Sequence, residues 1–230
     1  MQMKKVVALV PMKEHSERVP NKNIRDFCGR PLYHHILKSL EACPYISQIY
    51  IDTDSTFIAN EAPKHFDVQI IDRPLELRSD FTPTNEIILY DLSITKGEYF
   101  LQTHSTNPLL RTETITRAIE KFLHSLPKYD SLFSVTRLQT RLWDANGRPI
   151  NHDLDILLRT QDLPPIYEEN SNMYIFTRET MEKRRNRIGE QPLMFEMDRV
   201  EACDIDEEID FQIAEFLYLE RQKSSQGAEI

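Results

Sequence analysis

Apolar and polar positions along the chain switch repeatedly between two periods. Residues 6–10 (VVALV) form an unbroken, β-branched-rich run of the kind a strand buried on both faces shows. A polar loop over residues 11–30 then leads into Leu32, Ile36, Leu37 and Leu40, which recur at helical spacing. The next apolar run, 46–51, ends in Asp52-Thr53-Asp54-Ser55, and Ile58, Ala59 and Ala62 resume the helical period. Either aspartate could cap a helix starting near Thr56. Residues 68–71 read as a short strand, Arg73-Pro74 opens an irregular segment, 85–95 a helix, 99–102 a strand, 104–111 a loop and 114–123 an amphipathic helix. This alternation predicts an α/β, Rossmann-like fold: a mostly parallel sheet, helices on both faces, and ligands beyond the carboxyl ends of the strands.

From Ser131 the texture changes. Residues 132–135 are strand-like, Asp144-Ala145-Asn146-Gly147-Arg148-Pro149 is a turn signal, and no helical period returns before about Pro165, so a small arm is expected inside the domain at about 136–170. The core pattern resumes at 173–176, followed by a basic helix around 180–187 and a closing helix from Glu207 to about Arg221. Residues 1–223 are therefore expected to form one domain, with 224–230 a frayed tail.

Charge narrows the classes of partner. A net charge of −9 over 230 residues argues against a nucleic acid polymer as ligand, because phosphate-backbone binding needs a basic stripe. No run approaches the roughly 18 apolar residues of a membrane span. The opening MQMKKVVALVP has two lysines before its apolar run but no small-residue cleavage site, and reads as a buried strand. Cys28, Cys43 and Cys203 are odd in number and lack metal-ligand spacing, which fits packing in a reducing cytoplasm.

Two constellations carry chemistry. The loop after the first strand sets Lys13, Arg18 and Lys22 where a ligand would sit, and a triphosphate would supply the counter-charge, with Lys22 neutralising charge that gathers on the phosphoryl oxygens. The alternative is a solvated polar loop. Near the end, Asp204 and Asp206 are two apart, so in an extended segment both carboxylates point to one side. That pair suits Mg2+, which takes a few carboxylate oxygens together with water and phosphate. Asp206 with Glu207 and Glu208 would also make a favourable acidic helix start. His104, in the loop after the 99–102 strand, is a candidate proton carrier or a plain surface histidine.

The first loop, with Ser16, Arg18, Val19-Pro20, Lys22-Asn23 and then Gly29-Arg30-Pro31-Leu32, resembles the opening of the acylneuraminate (CMP-sialic acid and CMP-ulosonic acid) cytidylyltransferases, P-A-R-G-G-S-K-R-I-P-x-K-N. Glu14 and His15 stand where that pattern has paired glycines, Lys13 where it has arginine and Glu17 where it has lysine. Asp52-Thr53-Asp54, Arg73-Pro74 through Asp80, Leu101-Gln102 with Thr106-Asn107-Pro108-Leu109, Asn170-Ser171-Asn172-Met173-Tyr174 and Asp204-Ile205-Asp206 extend the similarity over nearly the whole chain.

The resemblance implies transfer of CMP from CTP to the anomeric hydroxyl of an acidic, sialic acid-like sugar, with release of pyrophosphate. It implies Lys22, Asp204 and Asp206 as the catalytic group, the two aspartates holding Mg2+. Lys13, Ser16, Arg18, Lys22, Asn23, Arg73, Asp80 and Thr84 would bind the nucleotide. Gln102, Thr106, Arg141, Arg159 and Tyr174 would bind the sugar, the two arginines holding its carboxylate. Arg159 could instead pair with Asp155 or Asp162. The arm would cross to a second subunit, giving a homodimer. Asp52 and Asp54 are assigned structural duty. The altered first loop also admits another nucleoside triphosphate, a sugar 1-phosphate acceptor, or a sugar-nucleotide binder without activity.

Overall fold

The computed structural model describes residues 4–227. Nine strands and six α-helices follow in the order β1 (Val6–Met12), β2 (Asp26–Phe27), β3 (Arg30–Pro31), α1 (Leu32–Glu41), β4 (Ile46–Thr53), α2 (Thr56–His65), β5 (Val68–Asp72), α3 (Thr84–Ile94), β6 (Tyr99–Thr103), α4 (Thr112–Ser125), β7 (Ser131–Leu138), β8 (Ile166–Thr177), α5 (Arg178–Arg184), β9 (Pro192–Glu196) and α6 (Glu208–Gly227) among the described residues. The main sheet runs β5-β4-β1-β6-β8-β7-β9. Pairs β1·β4, β1·β6, β4·β5 and β7·β9 are parallel, whereas β8 is antiparallel to both its neighbours.

The pleat of β1 shows how the apolar run is used. Val6, Ala8, Val10 and Met12 enter one core with α1, α2 and α4, while Val7 and Leu9 enter the other with Ile88 and Leu92 of α3 and Met181 of α5. Successive side chains leave a strand on opposite faces, so an uninterrupted apolar strand requires helices on both. On α4, Ile115, Ala118, Ile119 and Phe122 make the buried stripe. Truncating one such side chain to alanine costs about 2–5 kcal/mol.

A third core sets up the site. Val19 of the first loop, Phe27 and Leu32 pack with Ile205, Phe211 and Ala214, so the start of α6 lies against the loop that follows β1. The chain turns outward from β1 to β4 and β5 on one side and to β6 on the other, which leaves a crevice at the carboxyl ends of β1 and β6.

Local differences from the sequence expectations have physical causes. The excursion between β7 and β8 covers 139–165, shorter than 136–170, because Thr136 to Leu138 and Ile166 to Glu168 pair with one another as strand. β9 is a strand the sequence pattern did not reveal, since only Phe195 of its five residues is buried. The closing helix runs past Arg221 to Gly227, so residues 224–227, expected as tail, are helical; 228–230 lie outside the described residues. Ser55, not Asp52 or Asp54, caps α2, accepting from the Ile58 amide at 3.4 Å.

Candidate active site

A cavity of about 330 Å³ opens at the carboxyl ends of β1 and β6, lined by Lys13, His15, Ser16, Glu17, Arg18, Lys22, Asn23, Asp80, His104, Ser105 and Thr106 among others. The first loop reaches it because its amide and carbonyl groups are tied down. Asn21 adopts φ 55°, a left-handed conformation that asparagine tolerates, and starts a 3-10 turn over Lys22–Ile24. The Asn23 side chain donates to the Lys13 carbonyl at 2.7 Å and accepts from the buried Ser105 hydroxyl at 2.6 Å, joining the loop to the segment after β6. The Glu14 amide donates to Asp54 at 2.8 Å. Asp54 thus does structural work.

The D-I-D segment arrives from the other side. Ile205 is fully buried, and its amide donates to the Thr106 carbonyl at 3.0 Å. Upstream, Glu201 is 2% exposed and accepts from Arg111 and Thr114, which pins residues 198–206 to the start of α4. The Lys22 ammonium donates to the Ile205 carbonyl, between the two aspartates, and lies 4.0 Å from Asp206. Arg18 pairs with Asp206 at 2.7 Å, with both side chains half exposed. Asp204 and Asp206 together line an adjoining crevice with Glu168, Glu169, Asn170, Ser171 and Arg199.

The electrostatics follow from this packing. Burial lowers the pKa of Lys22, with Asp204 and Asp206 opposing it. Burial raises that of Asp204, against a hydrogen bond with Thr106, and one of its oxygens is buried without a hydrogen-bond partner. His104 is driven down to about 4 by burial and then by Arg187 and Lys22, so its imidazole is neutral at physiological pH and a weak proton acceptor.

An orphaned carboxylate oxygen in a desolvated position, beside a second carboxylate that faces water, is a donor set that fits a hard divalent cation. Among the described residues no cluster of three or more His, Cys, Asp or Glu has metal-holding geometry, so any such ion would draw its remaining oxygens from water and substrate.

The expected residues divide into those the structure gathers and those it does not. Lys13, Ser16, Arg18, Lys22, Asn23, Asp80 and Thr106 all line the cavity, and Lys13 pairs with Asp80 at 2.7 Å. Arg73 does not reach it: the side chain is 1% exposed and its guanidinium is committed to Asp52. Buried there, it serves as the counter-ion of Asp52. Thr84 opens α3 and is not part of the cavity wall.

Among the expected sugar contacts, Gln102 and Tyr174 are fully buried and face each other across β6 and β8, where they are in register. Arg141 donates to the Leu158 carbonyl and Arg159 pairs with Asp162 at 2.6 Å, so within one chain both arm arginines are turned to the arm itself. The acid partner of Arg159 is three residues on, the local pairing its surroundings allowed.

One residue in contact with the expected sugar-binding pair Gln102 and Tyr174 was not anticipated. Arg187 donates to the Gln102 side-chain carbonyl at 2.7 Å and stacks on the Tyr174 ring, 3.7 Å from its centroid. Within the run Lys183 to Arg187 it looked like one more charge on a basic helix, but α5 stops at Arg184 and Arg185 takes φ 52°. The left-handed cap turns the chain back toward β6.

A polyphosphate-sized cavity lined by a cationic loop, beside a crevice lined by paired carboxylates, at the carboxyl edge of an α/β sheet, is an arrangement suited to nucleotidyl transfer. The chain matches the cytidylyltransferase family over residues 7–225, and it belongs to that family. It is 23% identical over 232 residues to a pseudaminic acid cytidylyltransferase of Campylobacter jejuni, covering 96% of this chain and 99% of that one. It is 25% identical over 232 residues to an N-acylneuraminate cytidylyltransferase of Escherichia coli, covering 98% of this chain and 54% of the relative. The fold superposes on a CMP:2-keto-3-deoxy-manno-octonic acid synthetase complexed with CTP, with a TM-score of 0.66 at 11% identity over 95% of this chain and all of that one.

Proposed function

We propose that this cytidylyltransferase joins CMP from CTP to the anomeric hydroxyl of an acidic ulosonic sugar and releases pyrophosphate. The observation that carries the reading is the link from Lys22 to the Ile205 carbonyl, with Asp204 and Asp206 on either side of it. That link ties the cationic loop to the segment carrying the carboxylate pair. The pseudaminic acid and N-acylneuraminate cytidylyltransferases it resembles support an acidic ulosonic sugar as acceptor.

In this reading Lys13, Ser16, Arg18, Lys22 and Asn23 cradle the triphosphate. The acceptor hydroxyl oxygen attacks the α-phosphorus in line, the bond to the β-phosphate bridging oxygen breaks, pyrophosphate leaves, and the hydroxyl proton passes to solvent. Lys22 offsets charge on the phosphoryl oxygens as the bond breaks, so the enzyme acts by positioning and charge neutralisation without a covalent intermediate. Asp204 and Asp206 would hold Mg2+, which supplies Lewis-acid polarisation of phosphoryl oxygens. For that to happen Arg18 exchanges its Asp206 partner for phosphate, an inexpensive step because the pair is half exposed.

The chain reads as one nucleotidyltransferase domain whose 139–165 excursion is a dimerisation arm. Ile150, Leu154, Ile156 and Leu157 are exposed on it, and Leu157 is 90% accessible, the kind of apolar surface a second subunit covers. No helix among the described residues is long and apolar enough to cross a membrane. This reading puts the enzyme in the cytoplasm, in keeping with its free cysteines.

The test is pyrophosphate release from a panel of nucleoside triphosphates with sialic, legionaminic, pseudaminic and octulosonic acids, each with Mg2+. Turnover with CTP and at least one acid, identified by the product mass, is the expected result. Binding of CTP without turnover of any acid, or a preference for another triphosphate or a sugar 1-phosphate, would reject it.

A further inference from the structure

Several of the positive charges near the site are spoken for. Arg18 has Asp206, Lys13 has Asp80, Arg185 has Glu86 at 2.9 Å, and Lys183 and Arg184 flank Glu190. Arg187 is not: it touches a neutral amide oxygen and an aromatic ring, and no carboxylate among the described residues lies within ion-pair distance. The nearest acid in the network, Glu169, is engaged by the Tyr174 hydroxyl. A guanidinium has five N–H donors, so Arg187 retains unused donors and an uncompensated charge on a half-buried side chain.

The loop carrying it is built to stay in place. The Glu190 and Gln191 amides donate to Asp130 at 2.8 and 3.0 Å, and the Gly189 amide donates to Ser131 at 2.8 Å. A Cβ at Gly189 would sit 2.2 Å from the Asp130 carboxylate, so only glycine lets the loop close on that acid. Asn186 caps the Ile188 amide at 2.9 Å. The result is a cation whose orientation is set before any ligand arrives, which lowers the ordering cost of binding.

Its position is also connected to the reacting end of the cleft. Gln102, whose carbonyl accepts from Arg187, donates through its amide nitrogen to the His104 ring at 3.1 Å, and His104 is in the wall of the cavity that Lys22 lines. An ulosonic acid carries its carboxylate on the anomeric carbon, the carbon whose hydroxyl must attack. A cation for that carboxylate therefore has to stand close to the phosphate end of the cleft. Arg141 and Arg159, turned to their own arm, do not meet that requirement from within the chain.

We infer that Arg187 is the acceptor-selecting residue, its free N–H groups holding the carboxylate of the sugar while Gln102 and the Tyr174 ring fix its plane. This rests on the ulosonic-acid reading above. An arginine fork matches a carboxylate in two parallel hydrogen bonds, which a lysine cannot reproduce.

The test compares wild-type protein with Arg187→Met and Arg187→Lys, using the best acid from the panel and its carboxamide analogue as acceptors. Thermal melting first establishes that the variants are folded. Arg187→Met is expected to raise KM for the acid about 10- to 100-fold, the range for losing charge-assisted hydrogen bonds, with Arg187→Lys in between and KM for CTP unchanged. The carboxamide should be a poor acceptor for wild-type protein and no worse for Arg187→Met. Equal losses with acid and carboxamide, or an unchanged KM for the acid in Arg187→Met, overturn the assignment and leave the reaction intact. If wild-type protein turns over no acid at all, the reaction itself is wrong and the role of Arg187 falls with it.

Discussion

The Lys22 ammonium is hydrogen-bonded to the backbone carbonyl of Ile205, and Ile205 is buried against Val19 of the same loop that carries Lys22. One apolar contact and one charged one thus clamp the loop after β1 to the start of α6, 183 residues away in sequence. The apolar contact sets the distance between the two walls of the cleft, and the lysine then spans it.

Replacing Lys22 separates those roles. Lys22→Met keeps the apolar stem and removes the charge, so kcat should fall by about 10²–10³, as on removing one preorganised charge-stabilising group, while acceptor KM changes little. Because burial lowers the Lys22 pKa from its ordinary 10.5, activity should decline on the alkaline side at a pH below the usual lysine range. Lys22→Arg should shift that decline upward in a kcat–pH profile. Equal losses in kcat and acceptor affinity would mean that Lys22 binds the sugar.

The aspartate pair predicts an asymmetry. Asp206→Asn should lower turnover about 10²–10³-fold with little effect on melting temperature, because its partner Arg18 is exposed and such pairs contribute about 0–1 kcal/mol. Asp204→Asn should cost similar activity, yet leave stability equal or higher, since burial already disfavours its charge. Titrating Mn2+ into each variant and following its electron spin resonance signal checks the ion separately from turnover: both should bind it more weakly than wild-type protein. Near-normal activity of Asp206→Asn in saturating Mg2+ would remove the basis for the pair.

How much of this was open to inspection in the sequence depended on the distance over which each interaction acts. β1 was legible because both of its faces are buried, and α4 because one stripe is. Lys22 and Asp206 could be assigned to one cleft only through a family resemblance, since nothing local links residues so far apart. Arg73 was misplaced because an arginine after a strand looks the same whether it meets a ligand or a buried aspartate. Arg187 was hidden for a related reason: in the run KRRNR, only the left-handed turn at Arg185 distinguishes the cation that meets Gln102 and Tyr174 from those that face water.

The arm gives a prediction about assembly. Leu157→Glu and Ile156→Glu place charges on the exposed apolar surface of the 139–165 excursion, where they cost the monomer little. If a second copy covers that surface, the wild-type protein should sediment as a dimer and the double variant as a folded monomer, with at least a tenfold weaker association. Identical sedimentation of the two would separate the arm from assembly.

The last prediction concerns the buried cluster that took Arg73 from the site. Asp91, on α3, is fully buried, and its pKa is pushed up to about 9, first by burial and then by the charge of the neighbouring Asp52, while Arg73 pulls in the opposite direction. Asp91 therefore keeps its proton at neutral pH in the folded protein, whereas in the unfolded chain it loses it near the ordinary 3.8. The folded state binds the extra proton between those values, so this group's contribution to stability falls as pH rises from about 4 and is fully lost once pH passes about 9. Asp91→Asn, a neutral isostere, should flatten that slope in urea denaturation curves taken across the window and be nearly harmless at neutral pH. Arg73→Met strands the buried Asp52 charge and should cost about 3–5 kcal/mol. If Asp91→Asn leaves the pH slope of the wild-type protein intact, the proton resides elsewhere in the cluster.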